Sequence, residues 1–215
     1  YKTDKMNKIV IAIDSFKGCL TSEEAGIAVM KGIKTIFPDC EILLFPIADG
    51  GEGMLDVLIS ATQGKYRTLP AHGPLMELIQ AQYGISGDGQ TALIEMAAIS
   101  GLPLVPEEKR NPMLTTTYGT GELILDALEQ GCRRFIVGIG GSATNDAGLG
   151  MLQALGFRFL DKRGNLLGTG GKIMSQVASI DTSAVHPALK ETRFTIACDV
   201  HNPFCGSDGA AYIFA

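Results

Sequence analysis

Five stretches of the sequence combine glycine with side chains that bind anions or move protons. The first is Asp14-Ser-Phe-Lys-Gly18. The ammonium of Lys17 can hold a phosphate as a compact charge, and the carboxylate of Asp14 can bind Mg²⁺ or accept a proton. Ser15 adds a hydroxyl to this set. The stretch therefore has the groups to hold a phosphate, although a surface turn in which Asp14 caps the backbone would use the same residues.

The second stretch, Asp49-Gly-Gly-Glu-Gly53, follows an apolar run and precedes a predicted helix. Gly50, Gly51 and Gly53 let the backbone approach an anion closely, and the start of the helix would add the positive end of its dipole. These glycines and the neighbouring Asp49 are candidate contacts to a phosphate or carboxylate. A tight turn without a ligand is the alternative interpretation.

The third and longest stretch runs from Gly138 to Gly148, between a predicted strand and a predicted helix. Such a loop offers many hydrogen-bond donors to a carboxylate or phosphate at little steric cost. Its candidate contacts are Gly140, Gly141, Ser142, Thr144, Asn145 and Asp146. The carboxylate of Asp146 is also a candidate N-cap for the helix that follows.

The fourth stretch, Asp199-Val-His-Asn-Pro-Phe-Cys-Gly206, again follows an apolar run that is typical of a strand. Asp199 and Asn202 would reach a site shared with the third stretch if the two preceding strands are neighbours. His201 is more typical of a packing or hydrogen-bonding residue than of a catalytic base.

The fifth stretch, Thr115-Thr-Thr-Tyr-Gly-Thr-Gly121, is rich in hydroxyls and precedes a predicted helix. Capping of that helix accounts for Thr120. Thr117 is left as a candidate ligand contact.

The elements that must position these stretches begin with a βαβα pattern, which predicts a parallel sheet with helices packed on it. Ligands bind such sheets beyond the carboxyl ends of the strands, where the first two stretches lie. The predicted elements are a strand over Lys8–Asp14, a helix from the capping box Thr21-x-x-Glu24 to about Ile36, a strand over Glu41–Ile47 and a helix to about Thr62.

After Gly64 the pattern becomes mixed, with short strands preceding further helices. The predicted strands are Lys65–Leu69, Leu78–Ile85, Thr91–Met96, Arg134–Ile139, Phe157–Leu160 and Phe194–Asp199, and the predicted helices start at Thr120 and about Asp146. We therefore predict an α/β protein with two domains, one over residues 1–66 and a mixed β/α domain over residues 67–215.

Composition excludes several classes of protein. The chain has 215 residues, 46% of them hydrophobic, and a net charge of −5, which argues against nucleic acid as a partner. No apolar run approaches the roughly 18 residues of a membrane span. The chain ends in an apolar, strand-like run over residues 209–215, so we expect it to be part of a longer protein.

The five cysteines are scattered and odd in number, which indicates a reducing compartment and predicts a cytoplasmic protein. Cys198, His201 and Cys205 lie close together in the sequence, but half of a four-ligand zinc site is missing. We therefore predict no metal site built from protein side chains of this kind.

Two alternatives to a phosphate-handling enzyme use the same residues. Gly138, Gly140 and Ala143 fit the dinucleotide fingerprint G-x-G-x-x-A, and Asp161 follows at the distance of a ribose-binding acid, which would indicate an NAD-dependent oxidoreductase. A non-catalytic protein that binds small anions is the other alternative. The P-loop motif and the protein-kinase motifs do not occur in the sequence.

Taken together, the stretches resemble the class I glycerate kinase family. The similar segments are Ile11-Ala-Ile-Asp-Ser-Phe-Lys-Gly18, Pro46-Ile-Ala-Asp-Gly-Gly-Glu-Gly53, Thr117-Tyr-Gly-Thr-Gly-Glu-Leu123, Gly138-Ile-Gly-Gly-Ser-Ala-Thr-Asn-Asp146 and Cys198-Asp-Val-x-Asn-Pro203, in the family's order. The resemblance implies phosphorylation of glycerate by ATP with Mg²⁺, with 2-phosphoglycerate as the favoured product. It implies glycerate and ATP as partners and leaves a homodimer open.

The resemblance also implies an architecture and a set of roles. The chain would be the N-terminal part of a two-domain protein, with an incomplete Rossmann-like domain and an inserted mixed-sheet domain. Lys17 and the amides of Gly140 and Gly141 would steady the transferring phosphoryl group. The glycerate would be held by Ser142, Thr144 and Asn145. Asp14 or Asp199 would orient or deprotonate the attacking hydroxyl, and the other would help to position Mg²⁺.

Overall fold

The chain folds around two main β-sheets, and two loops, one from each sheet, contact each other. The computed structural model describes residues 7–16 and 18–214. In that part of the chain, no helix is both long and apolar enough to cross a membrane. The α/β class and the combination of a parallel sheet with a mixed sheet are as predicted from the sequence.

The first unit is a two-stranded parallel sheet covered by one helix. β1 (Lys8–Ile13) pairs with β2 (Glu41–Pro46) in parallel, and α1 (Ser22–Ile36) connects them and packs on both strands. The predicted capping box is present: the Glu24 amide donates to the Thr21 hydroxyl, and the Thr21 amide donates to the Glu24 carboxylate. This cap fixes where α1 starts and thus the length of the loop that carries Asp14.

The second unit is a five-stranded mixed sheet in the order β3-β4-β5-β6-β9. Its strands are β3 (Lys65–His72), β4 (Leu78–Ile85), β5 (Thr91–Glu95), β6 (Arg134–Gly138) and β9 (Arg193–Ala197). β3, β4 and β5 pair antiparallel, whereas β5, β6 and β9 are parallel to one another. The carboxyl ends of these last three strands therefore lie side by side.

Helices cover both faces of this sheet. α2 (Met54–Thr62) packs on β4 and β5 and buries Leu55 and Ile59 against Leu93. A short α3 (Ala97–Ser100) follows β5, and α4 (Tyr118–Glu129) packs on β3, β4 and β5 through a larger core. The helix predicted to end the first unit thus packs on the second sheet, which it approaches through the loop over residues 47–53.

The remaining regular elements lie around α4 and after β9. α5 (Leu149–Ala154) packs on α4, and β7 (Arg158–Leu160) pairs antiparallel with β8 (Ser179–Asp181) in a small sheet of their own. α6 (Ala210–Ile213) occupies the apolar run that the sequence suggested was a strand. Gly209 directly before this run caps the helix with extended backbone, and four residues are enough for one turn.

Two helix starts differ from the sequence-based predictions. α4 begins three residues earlier than predicted, with Thr117 at the N-cap position, and Thr120 is fully buried inside the helix. The hydroxyl of Thr120 bonds that of Ser100 at 2.9 Å, so tertiary packing satisfies a side chain that the sequence suggested was a cap. α5 begins at Leu149 and not at about Asp146, and Gly148 is its N-cap residue, while the carboxylate of Asp146 accepts from the amide of Gly150 in the first turn.

Candidate active site

The third and fourth stretches lie next to each other at the carboxyl edge of the five-stranded sheet. β6 and β9 pair in parallel, and Gly138 at the end of β6 is opposite Ala197 at the end of β9. The condition under which Asp199 and Asn202 would share a site with the third stretch is therefore met by the strand order.

The second stretch is packed against this edge through glycine backbone. Gly50 has a φ of +93°, and a Cβ at this position would lie 2.6 Å from the carbonyl oxygen of Ala197. The amide of Gly140 donates to the carbonyl of Gly50 at 3.2 Å. The loop after β2 thus meets the loop after β6 and the last residue of β9 in direct backbone contact, in which a side chain would not fit.

The N-terminus of α2 is occupied by a carboxylate from the neighbouring strand. Glu95, the last residue of β5, is 7% exposed, and its Oε2 accepts hydrogen bonds from the amides of Gly53 and Leu55, both at 3.1 Å. Burial raises the pKa of this carboxyl group, which the two backbone donors partly offset. The amides at the start of α2, which the sequence suggested for binding a ligand anion, therefore already bond to the carboxylate of Glu95.

The carboxylate of Asp146 also faces inward. It is 1% exposed and accepts hydrogen bonds from the amides of Thr117, Gly148 and Gly150 at 2.9 to 3.1 Å. The hydroxyl of Thr117 donates to the same carboxylate and accepts from the amide of Met151. The structure thus brings Asp146 and Thr117 together, and their polar atoms hold the third and fifth stretches to each other.

The middle of the third stretch is fixed by backbone contacts with α3. The amide of Ala143 donates to the carbonyl of Ser100, and the carbonyl of Gly141 accepts from the amide of Leu102. The hydroxyls of Ser142 and Thr144 lie 2.6 Å apart. Ser142, Thr144 and Asn145 are half-buried, so their side chains lie in a position that a small ligand can reach.

The first stretch lies across a cleft from Glu95. This cleft has a volume of about 940 Å³, and its lining includes Asp14 and Ser15 from the first unit together with Gly53 and Glu95 from the second. The carboxylate of Asp14 accepts a hydrogen bond from the amide of Ser15 at 2.6 Å. Lys17 lies outside the described residues. The candidates of the third and fourth stretches are not part of the described lining.

Tyr66 forms part of the same cleft lining. Its hydroxyl donates to Asp56 on α2 at 2.7 Å, and this bond, with burial and the nearby negative charge, raises the pKa of Tyr66 to about 12. The phenol is thus neutral near pH 7 and ties β3 to α2.

The fourth stretch is exposed to solvent over its whole length. The Asn202 amide donates to the backbone carbonyl of Asp208 at 3.0 Å, which closes the loop on itself. Asp199 follows the end of β9 by two residues and is exposed. Of the two candidate acid residues, Asp14 therefore lies in the cleft and Asp199 on the open side of the sheet edge.

Glu95 is the site residue that the sequence analysis missed. The segment Thr91-Ala-Leu-Ile-Glu95 contains a signal for it, since an acidic residue closes an otherwise apolar strand at the edge where ligands bind. A charge at such a position requires partners, because an unpaired buried carboxylate is costly.

The geometry does not support the dinucleotide interpretation. The strand directly before Asp161 is β7, which pairs with β8 and is not a neighbour of β6. The Asp161 carboxylate accepts from the amides of Arg163 and Asn165 in a tight turn. A dinucleotide fingerprint places its helix within the glycine run, whereas α5 begins only at Leu149.

Comparison with known proteins gives a consistent assignment. The model of the glycerate kinase family matches residues 9–215. Over 207 residues the chain is 54% identical to glycerate 2-kinase of Escherichia coli (strain K12) and 52% identical to glycerate kinase of Bacillus subtilis (strain 168), covering 96% of the chain in each case. It covers 54% of each of these two proteins, so the chain spans about half the length of the curated relatives it matches.

A solved structure agrees over nearly the whole chain. The crystal structure of a Salmonella typhimurium LT2 protein described as a glycerate kinase 2 superposes with a TM-score of 0.86 at 47% identity. The match covers 97% of this chain and 56% of that one. Because the family model spans residues 9–215 and the solved relative has the same fold, the chain belongs to the glycerate kinase family.

Proposed function

We propose that the protein containing this chain transfers a phosphoryl group from ATP to glycerate and forms 2-phosphoglycerate. The observation that carries the proposal is the 54% identity, over 96% of this chain, to a protein named glycerate 2-kinase. The loops that follow β6 and β9 are neighbours at one sheet edge, as a shared ligand site requires.

The proposed roles within the third stretch follow from which of its groups remain accessible. Ser142, Thr144 and Asn145 hold the carboxylate and hydroxyls of glycerate, since they are half-buried beside one another. Lys17 and the amide of Gly141 steady the transferring phosphoryl group. Such contacts matter because phosphoryl transfer depends on positioning and charge stabilisation more than on covalent chemistry.

In this proposal, several candidate residues act by holding the loops of the site in place. Thr117 and Asp146 hold the third stretch to the start of α4. Gly50, Gly51 and Gly140 allow the loops to touch, and the amide of Gly140 is already bonded to Gly50. Asp49 accepts from the amide of Gly51 at 2.9 Å, and Asn202 keeps the fourth stretch closed behind Asp199.

The residues present fit Mg²⁺ as a companion of ATP. Among the described residues no three His, Cys, Asp or Glu side chains converge, and Mg²⁺ is ordinarily bound through one or two carboxylates together with substrate phosphates. Asp14, half-buried in the cleft, is the carboxylate we propose to hold it, and Asp199 to orient the attacking hydroxyl. The bound ion would neutralise negative charge on the phosphates.

We further propose two domains, as in the prediction with a boundary near residue 66: β1, α1 and β2 belong to a larger parallel-sheet domain, and residues 67–215, together with α2, belong to the mixed-sheet domain. The support is the face of β1 and β2 that α1 leaves uncovered, where Val10 is 57% and Phe45 53% exposed. Parallel strands are ordinarily buried on both faces. A cytoplasmic location is proposed because all five cysteines are free thiols.

The decisive experiment is ADP release from ATP after addition of D-glycerate, with the full-length protein and Mg²⁺. We expect release that depends on glycerate, with product analysis giving 2-phosphoglycerate. A folded full-length protein that binds glycerate but releases no ADP would instead be the non-catalytic anion-binding protein.

The Lys17→Ala substitution tests the phosphoryl contact. Removal of a charge that stabilises the transition state should lower kcat by about 100-fold, on the scale of one lost oxyanion donor, and leave the melting temperature nearly unchanged. Lys31→Ala, at an exposed position of α1, is the matched control and should retain kcat. A folded Lys17→Ala protein with an unchanged kcat would contradict the role.

A further inference from the structure

Glu95 is a buried carboxylate that links two loops of the site. It ends β5, yet its hydrogen bonds go to Gly53 and Leu55, some 40 residues away in the chain. A buried charge has a high desolvation cost, so replacing it by an apolar residue would be favourable if it served packing alone. Its position therefore calls for an explanation beyond stability.

α2 has no cap of its own. Its N-cap residue is Gly53, with a φ of +89° and no side chain to accept a hydrogen bond. The first amides of a helix have no partner within the helix and require one from outside. Glu95 supplies that acceptor from the neighbouring strand, and its negative charge lies at the positive end of the helix dipole.

The start of α2 is also the end of the loop that touches the sheet edge. Gly50, whose carbonyl accepts from Gly140, lies three residues before Gly53. A Cβ on Gly140 would lie 2.8 Å from the Cα of Gly51, so the two loops have no spare room between them. A shift of Gly53 would therefore move the backbone against which the third stretch is packed.

We propose that Glu95 is a positioning residue, which fixes the Asp49–Gly53 loop against the Gly138–Asp146 loop by accepting the first amides of α2. The inference rests on the proposed function, because its kinetic consequence is read in glycerate phosphorylation. Glu95 acts through hydrogen-bond acceptance by a single oxygen, Oε2, and not through contact with substrate.

The surroundings of Glu95 explain why a side-chain amide can replace it. Glu52 and Asp56, from the same end of α2, add like charges that raise the pKa of Glu95 beyond the effect of burial. The neutral side chain of glutamine has one carbonyl oxygen, which can accept both amides, and it avoids the repulsion from these two acids.

Two substitutions of Glu95 in the full-length protein separate the effect of accepting hydrogen bonds from the effect of side-chain packing. Glu95→Gln keeps an acceptor, whereas Glu95→Met keeps the length and much of the volume without one. We expect Glu95→Met to lower kcat by about 100-fold, the scale of an ångström-sized misplacement, with a smaller change in KM. Glu95→Gln should restore most of the lost turnover.

Asp126→Asn is the matched control. Asp126 is another partly buried carboxylate that bonds groups from other elements, Arg67 and Tyr83, but it lies away from the site loops. It should lower the melting temperature and leave kcat at 25 °C unchanged. If Glu95→Met behaves in the same way, or if Glu95→Gln is as slow as Glu95→Met, the positioning role is overturned.

Hydrogen exchange of the amides in residues 50–57 gives a readout without substrate. Exchange should be faster in Glu95→Met than in the unmodified protein, and unchanged in Glu95→Gln and Asp126→Asn. Unchanged exchange in Glu95→Met would overturn the proposal. If the unmodified protein releases no ADP, the proposed function fails by itself, and the exchange measurement still decides whether Glu95 holds the loop.

Glu95→Asp covers the case in which Glu95→Met does not fold. The shorter side chain keeps the charge but withdraws the oxygens from α2 by one methylene group. Slower turnover with faster exchange at residues 50–57 supports positioning, whereas turnover and exchange like those of the unmodified protein contradict it.

Discussion

The two main β-sheets of this chain differ in how completely helices cover their faces. In the five-stranded sheet, Leu93 and Ile94 of β5 are fully buried between helices on both faces. In the two-stranded sheet, Ile11 is buried beneath α1, but its neighbour Val10 is 57% exposed on the opposite face. The loop after β6 therefore follows a strand that pairs with the doubly covered β5, whereas the loop after β1 follows a strand of a sheet that is packed on one side.

The largest expected effect is on the core of the five-stranded sheet. Leu123→Ala, on α4, should lower the free energy of unfolding by about 3 kcal/mol, because it leaves a cavity among fully buried neighbours. Val10→Ala in this chain should cost about 0.5 kcal/mol or less, as at other exposed positions. Urea denaturation of both variants measures the contrast.

The same pair of variants also tests, in the full-length protein, whether the two sheets differ in coverage. If further chain covers the open face of β1 and β2, Val10→Ala should there cost about 1 to 2 kcal/mol, close to the transfer free energy of two methylene groups. An equally small cost in both lengths of chain would mean that this face stays open.

A smaller effect on the free energy of unfolding is expected when the pH is lowered. The side-chain hydrogen bond from Arg67, and then that from Tyr83, lower the pKa of Asp126 below its unfolded value of 3.8. The contribution of Asp126 is thus present above that value and lost as the pH falls through the folded pKa. The stability gap between the unmodified protein and Asp126→Asn should narrow from pH 7 to pH 3 in urea denaturation.

The first unit should show no comparable acid step from its ion pair. Lys8 and Glu41 lie 3.1 Å apart at the start of β1 and β2, but both side chains are more than half exposed. Exposed pairs contribute little to stability. A loss of α1 protection in hydrogen exchange before that of α4 on lowering the pH would reverse this expectation.

The most local predicted effect is on the start of α1. Thr21→Ala removes the side chain of the capping box and should lower the free energy of unfolding by about 1 kcal/mol. Faster hydrogen exchange should be confined to the first turn of the helix, with Thr35→Ala, near the exposed end of α1, as the control. Spread of the change into α4 would show that the two units unfold together.

Local patterns in the sequence predicted much of this fold. The capping box at Thr21 and Pro38 bounded α1, and the apolar runs located β1, β2 and β4 to within a residue. These features depend on neighbours in the chain, so the sequence carries them directly. The adjacency of β6 and β9 was available only as a condition, because strand order is set by long-range packing.

The site was harder to predict, because the same polar residue can face a ligand or the protein. Asp146 and Thr117 look like ligand contacts in the sequence, yet in the structure the hydroxyl of Thr117 donates a hydrogen bond to the carboxylate of Asp146. The amides at the start of α2 look free until Glu95, which is distant in sequence, is brought beside them. In each case the deciding partner comes from a separate element, which no local pattern reveals.

The contact between Gly50 and Gly140 also limits which substitutions this chain can accept during evolution. A side chain at Gly140 would meet the backbone of Gly51, and one at Gly50 would meet the carbonyl of Ala197, so neither position accepts a larger residue without a shift of the backbone beside it. We therefore expect mutational tolerance in selection experiments to fall sharply at these two positions together, while the exposed turn at Arg163 accepts almost any residue.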